Sequence, residues 1–216
     1  MGSGLIISGL LYDLSDNIIP FLDKSIDLYV HTWQEPENGR WLTKLNRYRK
    51  YCRSVKVIVE PFKYDSKLLS YFYSTWKVVN SIDNIDQYNK VVKFKPNLDT
   101  KHIPYQGDLD KYFYSAKTHC RPLLDNFEKE DCIYGLFYYR TLDERLFTTY
   151  PNALKKAFIM DEESFTEQMH KLDKELTSKY GTGYEGSIFW TEWFERRNIK
   201  LILDKDLKLT NNVRRD

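Results

Sequence analysis

The chain has 216 residues, 42% hydrophobic and 30% charged, which suits one domain with its own core and excludes wholesale disorder. Its formal net charge of +2 supplies no chain-wide field for nucleic acid, so no nucleic-acid partner is expected. Cys52, Cys120 and Cys132 are odd in number and lack metal-ligand spacing, so they read as reduced thiols of a reducing, cytoplasmic compartment.

In chain order, GLIISGLL (4–11) reads as a buried strand and is too short for a signal sequence or a membrane span. No other stretch approaches membrane length, so no transmembrane segment is expected. LSDNIIPFLDKS (14–25) reads as a helix, IDLYVHTW (26–33) as a strand, and WLTKLNRYRKYC (41–52) as a basic amphipathic helix. VKVIVEPF (55–62) is a third strand, SKLLSYFYSTWKVVNSID (66–83) the clearest helix, and KVVKFKPNLDT (90–100) a fourth strand running into a turn. Alternation at this spacing predicts an α/β fold with a mainly parallel sheet and helices on both faces.

Beyond residue 100 the pattern loosens. DLDKYFYSAKTH (108–119) is helix or loop, and CIYGLFYYRT (132–141) is a strand. DERLFTTYPNALKKAF (143–158) and DEESFTEQMHKLDKELTSKY (161–180) are predicted helices, the second with acids in its first turn as the helix dipole favours. GTGYEG (181–186) is a glycine-rich turn, SIFWTEWFERRNI (187–199) an aromatic helix and KLILD (200–204) a last short strand. The reading divides one domain into a nucleotide-sugar-binding half, 1–100, and an acceptor-binding half, 101–216, with further domains expected in a longer parent protein.

Ligands of parallel α/β sheets bind outside the carboxyl ends of the strands. Three predicted strand ends carry small or polar groups there: Ser8-Gly9, His31-Thr32, and Asn97-Leu98-Asp99 just after Lys93 and Lys95; Leu10 and Trp33 follow the first two and join them as donor-binding candidates. Glycine lets a ligand approach the backbone, and His31 and Thr32 offer hydrogen-bonding groups beside a stackable ring. His31 reads equally as an interior hydrogen-bonder and Trp33 as core. Asn97 and Asp99 both offer oxygen, which Mg²⁺ and Mn²⁺ prefer, and in an extended segment their side chains share one side. An ion held there would stabilise a departing diphosphate. Tyr73 and Lys77 share a helix face with Ser70, so Lys77 reads as a phosphate contact or as a solvated lysine.

IDLYVHTW, SYFYSTWKVVN and YNKVVKFKPNL, in this order, resemble the short GT-A-type glycosyltransferases of bacterial polysaccharide loci and large DNA viruses. The chain is most like the N-terminal domain of a chlorovirus-encoded glycosyltransferase, over roughly residues 5–100. The resemblance implies a GT-A fold, a UDP-sugar donor such as UDP-glucose, a glycan or glycoprotein acceptor, and Mn²⁺ or Mg²⁺ at Asn97-Leu98-Asp99. If the chain is viral, its compartment is the host cytoplasm. The family's R-x-R-P-D-L here reads Lys93 to Leu98 with Asn97 for the first acid, which moves metal binding towards Asp99 and leaves Asn97 able to bond the ribose.

A transferase also needs a base for the acceptor hydroxyl or a retaining arrangement. Asp143 and Glu185 are the candidates, with Glu144 beside the first; Glu185 follows the flexible Gly181–Gly183 turn. The alternative function is a non-catalytic carbohydrate- or nucleotide-binding module, with the aromatic helix and a Tyr-rich strand as a stacking platform.

Overall fold

The computed structural model describes residues 3–8, 24–33, 43, 45–61, 63–88, 90–94, 132–135, 146–149 and 151–203. The first three strands are β1 (Ser3–Ser8), β2 (Ile26–Trp33) and β3 (Ser54–Glu60). Helix α1 (Lys67–Asn80) follows, then β4 (Lys90–Phe94), β5 (Cys132–Gly135) and β6 (Leu146–Thr149). Helices α2 (Pro151–Phe158), α3 (Glu162–Tyr180) and α4 (Gly186–Glu195) precede the last strand, β7 (Lys200–Leu203). The described strands form one sheet in the order β3-β2-β1-β4-β6-β5-β7. All pair in parallel except β6, which runs against both β4 and β5, so the mainly parallel sheet expected from the sequence is present.

Residues 143–158, expected as one helix, contain the strand Leu146–Thr149 and a helix that starts only at Pro151. Proline fits the first turn of a helix, but it disfavours helical backbone at the residue before it. Ahead of it, β-branched Thr148 and Thr149 suit a pleated strand, and β4 and β5 supply backbone partners on both sides.

Helix α1 begins where Ser66 Oγ accepts the Leu69 N–H at 3.3 Å and ends where Ser81 Oγ donates to the Val78 carbonyl at 2.7 Å. It is buried almost all round because β1 and β2 lie on one side of it and helices α2–α4 on the other. Phe72 sits at the centre of the second contact, with ring centroids of Phe158, Phe165, Phe189, Trp190 and Trp193 at 4.7–5.6 Å. On β2, Tyr29, His31 and Trp33 face α1. Ile26, Leu28 and Val30 alternate with them and are buried too, as are Leu45 and Tyr48 in the helical turns before β3; none of these belongs to the α1-side cluster. The sheet therefore has a core on each face.

At the amino end of β2, Asp27 is buried in a hydrogen-bonded knot. One carboxylate oxygen accepts Arg53 Nε at 3.0 Å and Ser54 Oγ at 2.6 Å; the other accepts the Tyr88 hydroxyl at 2.6 Å and Arg53 Nη2. Tyr88 also bonds the Tyr29 hydroxyl at 2.6 Å. The Arg53 guanidinium is the largest cause holding Asp27 down at about 2, outweighing its burial.

Candidate functional site

The strand order fixes where a ligand crevice opens. From β1 the chain steps outward to β2 and β3, then returns across the sheet to place β4 on the other side of β1. In sheets of this kind right-handed crossovers put the connections of the two directions on opposite faces, and ligands bind beyond the carboxyl ends of the strands at the switch, here β1 and β4. Ile7 pairs with Phe94 and Ser8 with His31, so the ends of β4, β1 and β2 meet at this rim.

Ser8 is the last residue of β1. Gly9, Leu10, Lys95, Asn97, Asp99 and Asp143 lie outside the described residues. Gly9 and Leu10 directly follow β1, and Lys95, Asn97 and Asp99 follow the end of β4 at Phe94. Among the described residues, no group of three or more His, Cys, Asp or Glu is able to hold a metal ion.

His31, Thr32, Trp33 and Tyr73 are buried. His31 Nδ1 lies 2.6 Å from Ser74 Oγ of α1, and Nε2 lies 2.9 Å from Glu60 Oε2 at the end of β3. Burial pushes the imidazole below its ordinary value, so it is neutral. A carboxylate only accepts, which assigns the proton to Nε2 and leaves Nδ1 to accept from the Ser74 hydroxyl. Glu60 Oε1 also holds Lys77 Nζ at 2.8 Å. Burial opposes the Glu60 charge, but the bonds from Lys77 and His31 outweigh it and keep the group below its ordinary value.

Ser74, His31 and Glu60 repeat the residue types of a nucleophilic triad, but not its access. Ser74 and His31 are both wholly buried, Ser74 in mid-helix, so the three hold elements together. Trp33 stacks on Tyr73 at 5.7 Å and meets the edge of His31 at 4.9 Å. The Tyr73 hydroxyl accepts from Lys63 Nζ at 2.8 Å and donates to Glu162 Oε1 at 3.2 Å; Lys63 also pairs with Glu162. Lys77, read from sequence as a phosphate contact or a solvated lysine, is half-buried and ion-paired.

Glu185 stands exposed at the N-cap position of α4. Helix α4 leads into β7, which is parallel to β5 and hence to β4, so the start of α4 lies at the carboxyl end of the sheet. The first turn of α1 is at this end too: a Cβ on Gly186 would come within 3.1 Å of Leu68 Cδ1. The turn before it needs glycine, with φ of 88° at Gly181 and 81° at Gly183. The Tyr184 hydroxyl anchors the turn by donating to Asp173 Oδ1 at 2.6 Å. The topology thus brings Glu185 to the same end as Ser8, His31 and Phe94.

The aromatic helix is not a free platform. Phe189, Trp190, Trp193 and Phe194 occupy one stripe of α4 and are all buried against α1–α3. Glu60 and Ser74 were not among the expected site residues. The sequence marks Glu60 only as a strand end before Pro61, and its partners are 29 and 17 positions away.

No protein-family model matches this chain, and no curated protein matches its sequence. Its structure is similar to that of the apo-form glycosyltransferase GlyE of Streptococcus pneumoniae TIGR4, with a TM-score of 0.50 and 9% identity over 95% of this chain and 46% of that one. The chain thus spans about half of that protein's length. It also aligns with apo-form mouse xyloside xylosyltransferase 1, with a TM-score of 0.48 and 12% identity over 94% of this chain and 84% of that one. The likeness is one of fold: a GT-A-like α/β architecture, as expected from the sequence. No helix among the described residues is long and apolar enough to cross a membrane.

Proposed function

We propose that the chain is a glycosyltransferase that moves a hexose from a UDP-sugar to a hydroxyl of a glycan or glycoprotein. The observation that supports this reading is the switch in strand order at β1 and β4, beyond whose carboxyl ends such sheets bind ligands; in sequence Gly9 and Leu10 follow β1, and Lys95, Asn97 and Asp99 follow β4. Ser8, Gly9 and Leu10 would line the nucleotide, and Lys95 would face its phosphates. Asp99, with Asn97, would hold Mn²⁺ or Mg²⁺; the amide and carboxylate oxygens are the donor types that such hard cations take. A bound ion supplies positive charge against the departing diphosphate. In the transfer the acceptor oxygen bonds the anomeric carbon, the bond to the UDP oxygen breaks, and a carboxylate takes the hydroxyl proton. Glu185, or Asp143, is the residue we assign to that proton.

The test is UDP release from a panel of UDP-hexoses with a glycan acceptor and Mn²⁺. Asp99→Ala is expected to abolish turnover while its circular dichroism matches the parent protein. Undiminished transfer by that variant rejects the mechanism, and absence of UDP release from every donor rejects the function.

A further inference from the structure

Glu60 has no part in the chemistry proposed above, yet one wall of the crevice converges on it. Ser8 of β1 pairs with His31 of β2, and the next two residues of β2, Thr32 and Trp33, pair with Val59 and Glu60 of β3. The carboxyl end of β2 therefore lies beside Ser8, next to the β1–β4 switch. Among the described residues β3 is the outermost strand on that side, and α1 covers one face of β2.

One β3 carboxylate holds both β2 and α1. Glu60 Oε2 accepts Nε2–H of His31 on β2 at 2.9 Å, and Oε1 accepts Lys77 of α1 at 2.8 Å. His31 closes the loop through Ser74 of α1 at 2.6 Å. Each oxygen is committed to a different element, so sliding β2 along β3, or tilting α1 away from either, breaks a charge-assisted bond in a mostly dry site. The imidazole in turn fixes Trp33, whose ring meets it edge-on at 4.9 Å.

We propose that Glu60 is a positioning residue for the donor site: by holding His31 and Lys77 at once it sets the height and orientation of the β2 end against which the nucleotide packs. This rests on the glycosyltransferase reading. Glu60 acts through the strand and touches no reacting atom, so its loss is expected to act on donor binding far more than on turnover of bound donor.

The test measures affinity for UDP with Mn²⁺ by calorimetry, donor KM and kcat, and the ring nitrogens of His31 by NMR in the full chain. The four histidines make assignment practical through loss of the signal in His31→Asn. In the parent protein His31 should be the neutral Nε2–H tautomer at pH 7. Glu60→Ala should shift that signal, weaken UDP binding roughly tenfold or more and raise donor KM in step, with kcat within about threefold. Glu60→Asp keeps both acceptor oxygens but withdraws them by one methylene, and Glu60→Gln turns one acceptor into a donor that faces His31 or Lys77; both should lose affinity. The last two carry the test if the alanine variant does not fold. UDP affinity within about twofold of the parent in Glu60→Ala, or in both Glu60→Asp and Glu60→Gln, overturns the proposal, as does an unmoved His31 signal in Glu60→Ala. A parent protein that binds no UDP removes the glycosyltransferase reading itself, and this inference with it.

Discussion

Replacing Asp27 by Asn tests the electrostatic account of the sheet's amino end. The carboxyl sits at about 2 in the folded chain against an ordinary 3.8, and that gap at about 1.4 kcal/mol per pH unit corresponds to about 2.5 kcal/mol. The partner Arg53 is 47% exposed, so water screens part of the contact and about 2 kcal/mol is the expected loss at pH 7. The sign follows from the depressed value. The contribution is complete above the unfolded value of 3.8 and fades as pH falls towards the folded value of about 2. About half is gone by pH 3. Urea unfolding of Asp27→Asn and the parent, followed by tryptophan fluorescence at pH 7, 5, 4 and 3, gives the difference directly, because other carboxyls cancel between the two. A difference that stays flat from pH 7 to pH 3, or is below about 0.5 kcal/mol at pH 7, refutes the reasoning.

Phe72→Ala should cost about 3–5 kcal/mol in the same unfolding assay, since five aromatic rings around it would line the cavity. Ser66→Ala removes the hydroxyl that caps α1 and should cost about 1 kcal/mol, with no change in the slope against urea. Chelation with EDTA should stop UDP release, and Mn²⁺ should restore it; turnover unaffected by the chelator would remove the ion from the proposal. Glu185→Gln should lower kcat at least about 100-fold with little change in donor KM, as expected for loss of a proton acceptor; an unchanged kcat would pass that role to Asp143.

Most of the first half was legible because its elements announce themselves locally. IDLYVHTW forms a strand over its full predicted length, Ile26–Trp33, and the clearest helix, expected over 66–83, is observed as Lys67–Asn80 between serine caps. The main difference is the strand Leu146–Thr149, which lies inside the stretch 143–158 that the sequence reads as one helix. The proline was the available signal, and sheet pairing with β4 and β5 decided the rest. The site was less legible because its contacts are long-range: no local pattern tells Glu60 that its partners are His31 and Lys77, or Asp27 that it will meet Tyr88.

The face of β2 that looks at α1 carries polar groups into the interior. Asp27, Tyr29, His31 and Trp33 alternate with Ile26, Leu28 and Val30, and both sets are buried, as a parallel strand covered on both faces requires. Helix α1 crosses back over β2 to reach β4 and takes the first set out of water. The polar atoms then need interior partners, and distant elements supply them: Arg53, Ser54 and Tyr88 around Asp27 at one end, Ser74 and Glu60 around His31 at the other. A buried charge without its partner is costly, so these bonds tolerate only one register between β2, β3 and α1. The same constraint that specifies the fold at the amino end of β2 thereby holds its carboxyl end at one height beside the β1–β4 crevice.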